Sequence, residues 1–101
     1  MALRFFDTNF FKAPFIRGLK APYKALYTFI ICECDNAGIW IPEFEVSSIY
    51  IDQKVDRNGA ETAFNGKYIL LHNGKWFFPD IIKHQYPSGL SAANPAHKKV
   101  I

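Results

Sequence analysis

Cysteine is scarce: the 101 residues hold two, Cys32 and Cys34. They lie two apart in a segment with helical periodicity, so they point to different faces and cannot bridge each other. No disulfide framework is available, and a reducing compartment, the cytoplasm, is the expected setting. The plainest expectation for both thiols is a small apolar side chain in the interior. A metal site would need them to meet His72, His84 or His97 from distant segments, so no metal is expected. Long apolar runs are also missing. Nothing approaches the ~20 residues of a membrane span, and Met1-Ala2-Leu3-Arg4 does not open a secretory signal. Charged residues make up only 21%, against 50% hydrophobic and 17% aromatic. That balance excludes a disordered chain and suits one small domain with a real core.

Catalytic signatures are absent as well. Gly59, Gly66 and Gly74 fall at helix and turn positions rather than in a phosphate-binding loop. Ser47 and Ser48 have no histidine pattern to activate them. The acidic residues between 33 and 61 lack calcium-loop spacing. His84 follows an apolar pair, where a half-buried histidine is expected rather than a catalyst. No enzyme and no cofactor are expected.

What the chain does have is an uneven charge distribution. Residues 1–24 carry five cations against Asp7, for +4. Residues 25–66 carry Lys54 and Arg57 against seven acids, for −5, and residues 67–101 carry five lysines against Asp80, for +4. Two basic ends that meet on one side of the fold would attract phosphate.

The pattern along the chain gives the elements. Residues 3–16 are aromatic without a clean period, and Pro14 limits any helix before it. Short extended or single-turn pieces that pack Phe onto the core are expected there, with an exposed aromatic stripe that stacks on bases as the alternative. Pro22 suits a helix start, and Leu19, Tyr23, Leu26, Tyr27, Ile30 and Cys34 form the buried stripe of a helix over 21–34. Asp35-Asn36-Ala37-Gly38 stops it. Ile39-Trp40-Ile41 reads as a short strand, and a second helix follows Pro42 over 44–51. Asn58 and Glu61 have capping-box spacing, which predicts a third helix starting at Asn58 and ending at Asn65-Gly66.

Tyr68–His72 and Lys75–Pro79 flank Asn73-Gly74, the strongest two-residue hairpin signal. Ile81–Gln85 continues as a strand or a turn of helix. Pro87, Ser88, Gly89 and Ser91 read as a loop, and Asn94-Pro95 starts another helix. Seven residues from Pro95 give about 10 Å of helix, so a domain over 1–93 and a helix continuing past Ile101 are expected.

Helix, short strand, helix, helix, hairpin is the order of a winged helix-turn-helix, an α+β fold with a three-helix core, a small antiparallel sheet and a hairpin wing. The same residues resemble a family. Phe10-Phe11-Lys12, Pro14 to Leu19, Ala21 to Tyr27, Asp35 to Trp40, Trp76 to Gln85 and Asn94 to Lys98 resemble the N-terminal domain of phage and prophage replication-initiation, replisome-organiser-like, proteins. The resemblance implies a winged-helix DNA-binding or self-associating module, with a helicase or its loader as a further partner.

On the winged-helix reading the duplex contacts come from Lys54, Arg57, Asn58 and Thr62 around the third helix and Lys67, His72, Asn73 and Lys75 of the wing. Segment 52–66 is net −1, so the wing and the N-terminal cations carry more of the phosphate contact than usual. The alternative is a protein-interaction or homodimerisation domain that uses the aromatic N-terminal segment, Phe10 included, and Trp40, without direct DNA contact.

Overall fold

The structure, a computed structural model, describes residues 3–85. The expected loop at 87–91 and the helix from Asn94-Pro95 lie outside the described residues.

A single 3-10 turn, Phe10–Lys12, and a one-turn helix α1, Pro14–Arg17, lead into the main helix α2, Ala21–Glu33. Strand β1, Ile39–Trp40, is followed by α3, Phe44–Ile51, and α4, Arg57–Ala63. Strands β2, Ile69–Leu70, and β3, Trp76–Phe77, precede α5, Pro79–Gln85. The three strands form one antiparallel sheet in the order β1-β3-β2. Ile39 and Ile69 both face Phe77, while Trp40 and Leu70 both face Trp76. The described chain is thus a small α+β domain of five α-helices and a three-stranded antiparallel sheet, with the expected β1 pairing to the hairpin. None of its helices is long and apolar enough to cross a membrane.

The predicted face of α2 is the core face. Leu26, Tyr27, Ile30 and Ile31 are buried, as is Cys34 just after the helix. Leu19, Tyr23 and Phe29 pack half-buried against this cluster. Ala60 and Phe64 bring α4 onto it, and Trp76, Phe78 and Ile81 bring the sheet and α5. Trp76 is enclosed by rings. Tyr68 stacks on it at 4.0 Å and 9°, and Trp40 and Phe44 approach edge-on at 5.7 and 5.8 Å.

Several expectations are corrected. The third helix is capped by Asp56, not Asn58. Asp56 is extended, and its Oδ1 accepts from the Gly59 amide at 2.7 Å. A carboxylate also matches the positive helix start better than the Asn58 amide does. The helix therefore begins at Arg57, and the Asn58 side chain is left exposed.

The hairpin loop has three residues, not two. The Gly74 amide donates to the Leu71 carbonyl at 2.9 Å, and the Leu71 amide donates to Lys75 at 2.8 Å. Gly74 alone in the loop takes positive φ, at +85°. A type I turn followed by a left-handed glycine is the standard three-residue solution. The Asn73 side chain supports it by accepting from the Lys75 amide at 3.1 Å. The strands are also shorter than predicted, because Pro79 opens α5.

The N-terminal segment packs only in part. Phe10 is buried and Phe15 half-buried, but Phe5, Phe6 and Phe11 are exposed. Cys32 is exposed rather than interior. Trp40 and Phe10, the residues expected to serve an interaction surface, are both core residues.

Two side-chain clamps hold this segment to the body. Arg4 donates to the Cys34 carbonyl at 2.7 Å and the Ile31 carbonyl at 3.1 Å, satisfying carbonyls at the end of α2. Gln85 on α5 bonds both backbone groups of Phe5, at 2.7 and 2.9 Å.

Candidate nucleic-acid interface

The exposed side of α4 is positioned by a close helix crossing. Gly59 lies against Tyr23 of α2, whose hydroxyl accepts from the Asp56 amide at 3.5 Å. A methyl group at position 59 would sit 1.8 Å from the Tyr23 hydroxyl oxygen and 2.4 Å from its ring. In isolation, Ala would favour this helix by up to ~1 kcal/mol over Gly. The contact reverses that sign. Gly59→Ala is expected to destabilise the domain by about 1–3 kcal/mol, the usual cost of overpacking. A denaturant melt checks it, and Tyr23→Leu in the same chain should recover most of the loss.

With α4 docked this way, Asn58 and Thr62 are exposed and line a groove of about 710 Å³. The junction of α1 and α2, Gly18-Leu19-Lys20, lines it too, together with Tyr23, Ala63 and the Asp56 carboxylate. The Thr62 hydroxyl donates to the Asn58 carbonyl at 3.0 Å, which leaves its oxygen with acceptor capacity. The junction belongs to the most basic stretch of the chain. Lys12, Arg17, Lys20 and Lys24 occur with no acid between them. Lys12, Arg17 and Lys20 are exposed and Lys24 is half-buried. None of the four is ion-paired among the described residues.

The other predicted contact residues are placed differently. Lys54 is exposed in the connection before α4. The Arg57 guanidinium lies over the rings of Phe44 at 5.4 Å and Trp76 at 5.8 Å, so it ties α4 to α3 and the sheet. His72 and Asn73 are exposed at the hairpin tip.

Lys67 is not a free cation at the base of the hairpin. Its Nζ is 3.2 Å from Asp80 Oδ2 and 5.0 Å from the centre of the Phe15 ring. Lys75 is half-buried at a cavity of about 250 Å³ shared with Glu33, Asp35 and Glu43. Lys75 forms no ion pair among the described residues, but it shares this lining with three carboxylates. The structure therefore separates the predicted set. Asn58 and Thr62 share the α4 groove, while Lys67 and Lys75 have other neighbours.

Lys20, Tyr23 and the Asp56 carboxylate also line the groove and are not among the predicted contacts. The acid-free stretch from Lys12 to Lys24 is the signal that could have found the first of them. Among the described residues, no group of three or more His, Cys, Asp and Glu side chains is arranged to hold a metal ion. No family model, curated protein or solved structure matches the chain.

Proposed function

We propose that the domain is a winged-helix DNA-binding module that meets the duplex through α4 and the α1–α2 junction. The carrying observation is the groove. It gathers the uncharged polar side chains of Asn58 and Thr62 with Lys20 and the Asp56 carboxylate, in an α+β domain whose helix, strand, helix, helix, hairpin order suits a winged helix. Cations that contact phosphate set the register, and amide and hydroxyl groups on a helix read base edges. Arg17, Lys20 and Lys24 act as the phosphate contacts, with Lys54 beside α4. The hairpin contributes His72 at its tip and little net charge. The family resemblance supplies the setting, initiation of replication, and the further partner, a helicase or its loader.

Fluorescence anisotropy with labelled duplexes in a salt series tests the reading. Affinity should fall steeply as salt rises. Thr62→Ala should change the preference among duplex sequences while leaving the salt slope unchanged, because it removes a base contact and no phosphate contact. Salt-independent affinity would contradict phosphate contact.

A second reading, self-association or binding to another protein, is favoured by one observation. Ile49 and Tyr50 on α3 are 79% and 73% exposed, and Ile41 and Val46 beside them are also exposed. Contiguous apolar surface of this kind marks interaction sites. Ile49→Lys with Tyr50→Lys should then abolish any dimer seen by sedimentation and leave duplex affinity unreduced.

A further inference from the structure

One face of α3 is apolar and uncovered among the described residues. Val46 and Tyr50 stand one helical turn apart, 44% and 73% exposed, and Ile41, just before the helix, is 56% exposed. The Tyr50 ring stacks on Phe29 of α2, with centroids 5.7 Å apart and 21° between planes. Its exposure leaves the other face of that ring open to solvent. These four side chains line a cavity of about 250 Å³. That is below the range of about 300–1,000 Å³ usual for small-molecule sites, and it suits a side chain presented by another protein. The cavity shares no lining residue with the α4 groove.

The charge around the cavity narrows the occupant. Glu33 at the end of α2, Asp35 in the turn after it and Glu43 just before α3 share the lining with one cation, Lys75. Three acids against one lysine make the lining net −2, on a chain that is net +3. All three acids are exposed, and none is ion-paired among the described residues. Asp35 accepts from the Ala37 and Ile39 amides through Oδ1, which leaves Oδ2 for an outside donor. Glu43 caps α3 without a side-chain hydrogen bond.

An anion is repelled by such a lining, and an aliphatic side chain would desolvate carboxylates without pairing them. A cation with a flat face satisfies both the ring and the acids. Guanidinium stacks on aromatic rings, is more weakly hydrated than ammonium, and offers carboxylates several N–H donors. We infer that this face docks a basic segment of a partner protein, with an arginine stacked on Tyr50 among Glu33, Asp35 and Glu43, and a neighbouring apolar side chain on Ile41 and Val46. The inference rests on the protein-binding reading above and gives that partner its chemistry. It does not depend on duplex contact.

Fluorescence anisotropy of a labelled, end-blocked peptide of three Leu-Arg repeats, titrated with the full chain, tests it. Saturable binding that weakens as salt rises is expected. Citrulline in place of each arginine keeps the shape and removes the charge, and should weaken binding at least about tenfold. Lysine in those places should bind less tightly than arginine. Glu33→Gln with Glu43→Gln should weaken the arginine peptide about two- to thirtyfold, the range for two exposed ion pairs. Both glutamates are exposed, so the melting temperature should not move. Tyr50→Leu should weaken the peptide about two- to fivefold by loss of the stacked ring. Lys75→Ala should tighten it, because it removes the one like charge from the lining.

Wild-type peptide affinity in Glu33→Gln/Glu43→Gln would overturn the inference. Equal affinity for the arginine and citrulline peptides, lost in Val46→Asp, would also overturn it, while the apolar face would stand as a protein-binding site. A dimer by sedimentation with no peptide bound would give the face to a second copy. Peptide binding that appears only in Lys98→Ala/Lys99→Ala would give it to the chain's own cations. Either result overturns the partner proposed here. A monomer that binds none of the peptides would overturn the protein-binding reading as well.

Discussion

Phe64→Ala is expected to remove most of the domain's stability. Phe64 is fully buried at the end of α4 and meets rings from three other parts of the chain. Tyr27 lies at 5.5 Å, Phe78 at 6.1 Å, and Phe15 and Tyr23 at 6.3 Å. One side chain thus ties α4 to α1, α2 and the segment leading into α5. Truncating a buried Phe to Ala costs about 3–5 kcal/mol, from lost transfer energy and the cavity left behind. Domains of this size lose about 4–8 °C per kcal/mol, so the midpoint should fall by at least about 12 °C. Circular dichroism on heating checks this. A shift under about 4 °C would mean that the aromatic cluster around Phe64 is not the core.

The second large effect concerns charge. Replacing Arg17, Lys20 and Lys24 by Ala should weaken every duplex alike. If each contacts one phosphate, the slope of log affinity against log salt should lose about 2.7, from about 0.9 per contact. The fold should survive, because the first two are exposed, Lys24 is half-buried, and none of the three is in a described ion pair. Lys67→Ala with Lys75→Ala should change the slope by less than about 1. Lys67 is ion-paired with Asp80, and Lys75 shares a cavity lining with Glu33, Asp35 and Glu43. A larger effect from the wing pair than from the junction triple would return the phosphate contact to the hairpin.

The contrast between these two lysine sets marks where sequence reading reaches its limit. The burial stripe of α2 follows from local periodicity, and Leu26, Tyr27, Ile30 and Cys34 are buried as that period requires. The hairpin and the three-stranded sheet follow from turn chemistry and strand pattern. What spacing cannot give is the set of neighbours brought from elsewhere. Asp80 is thirteen residues from Lys67, and nothing local links them. The carboxylates beside Lys75 come from the end of α2, the turn after it and the approach to α3.

The cap at α4 is not legible locally for a different reason. Asp56 and Asn58 are both good cap residues, and the choice between them is made by the Tyr23–Gly59 contact, which is tertiary. The exposed rings of the N-terminal segment are a third case. Composition marks Phe5, Phe6 and Phe11 as interior, but all three are exposed, and the Arg4 and Gln85 clamps hold the stretch around Phe5 along the surface.

Amide chemical-shift mapping on the isotope-labelled chain, titrated with a short duplex, tests the central claim most directly. The expected result is a set of shifts on Arg17 to Lys20, Tyr23 and Arg57 to Ala63, fading as salt is added. Shifts confined to Ile41–Tyr50 or to the hairpin tip at His72–Gly74, or an unchanged spectrum at saturating duplex, would contradict it.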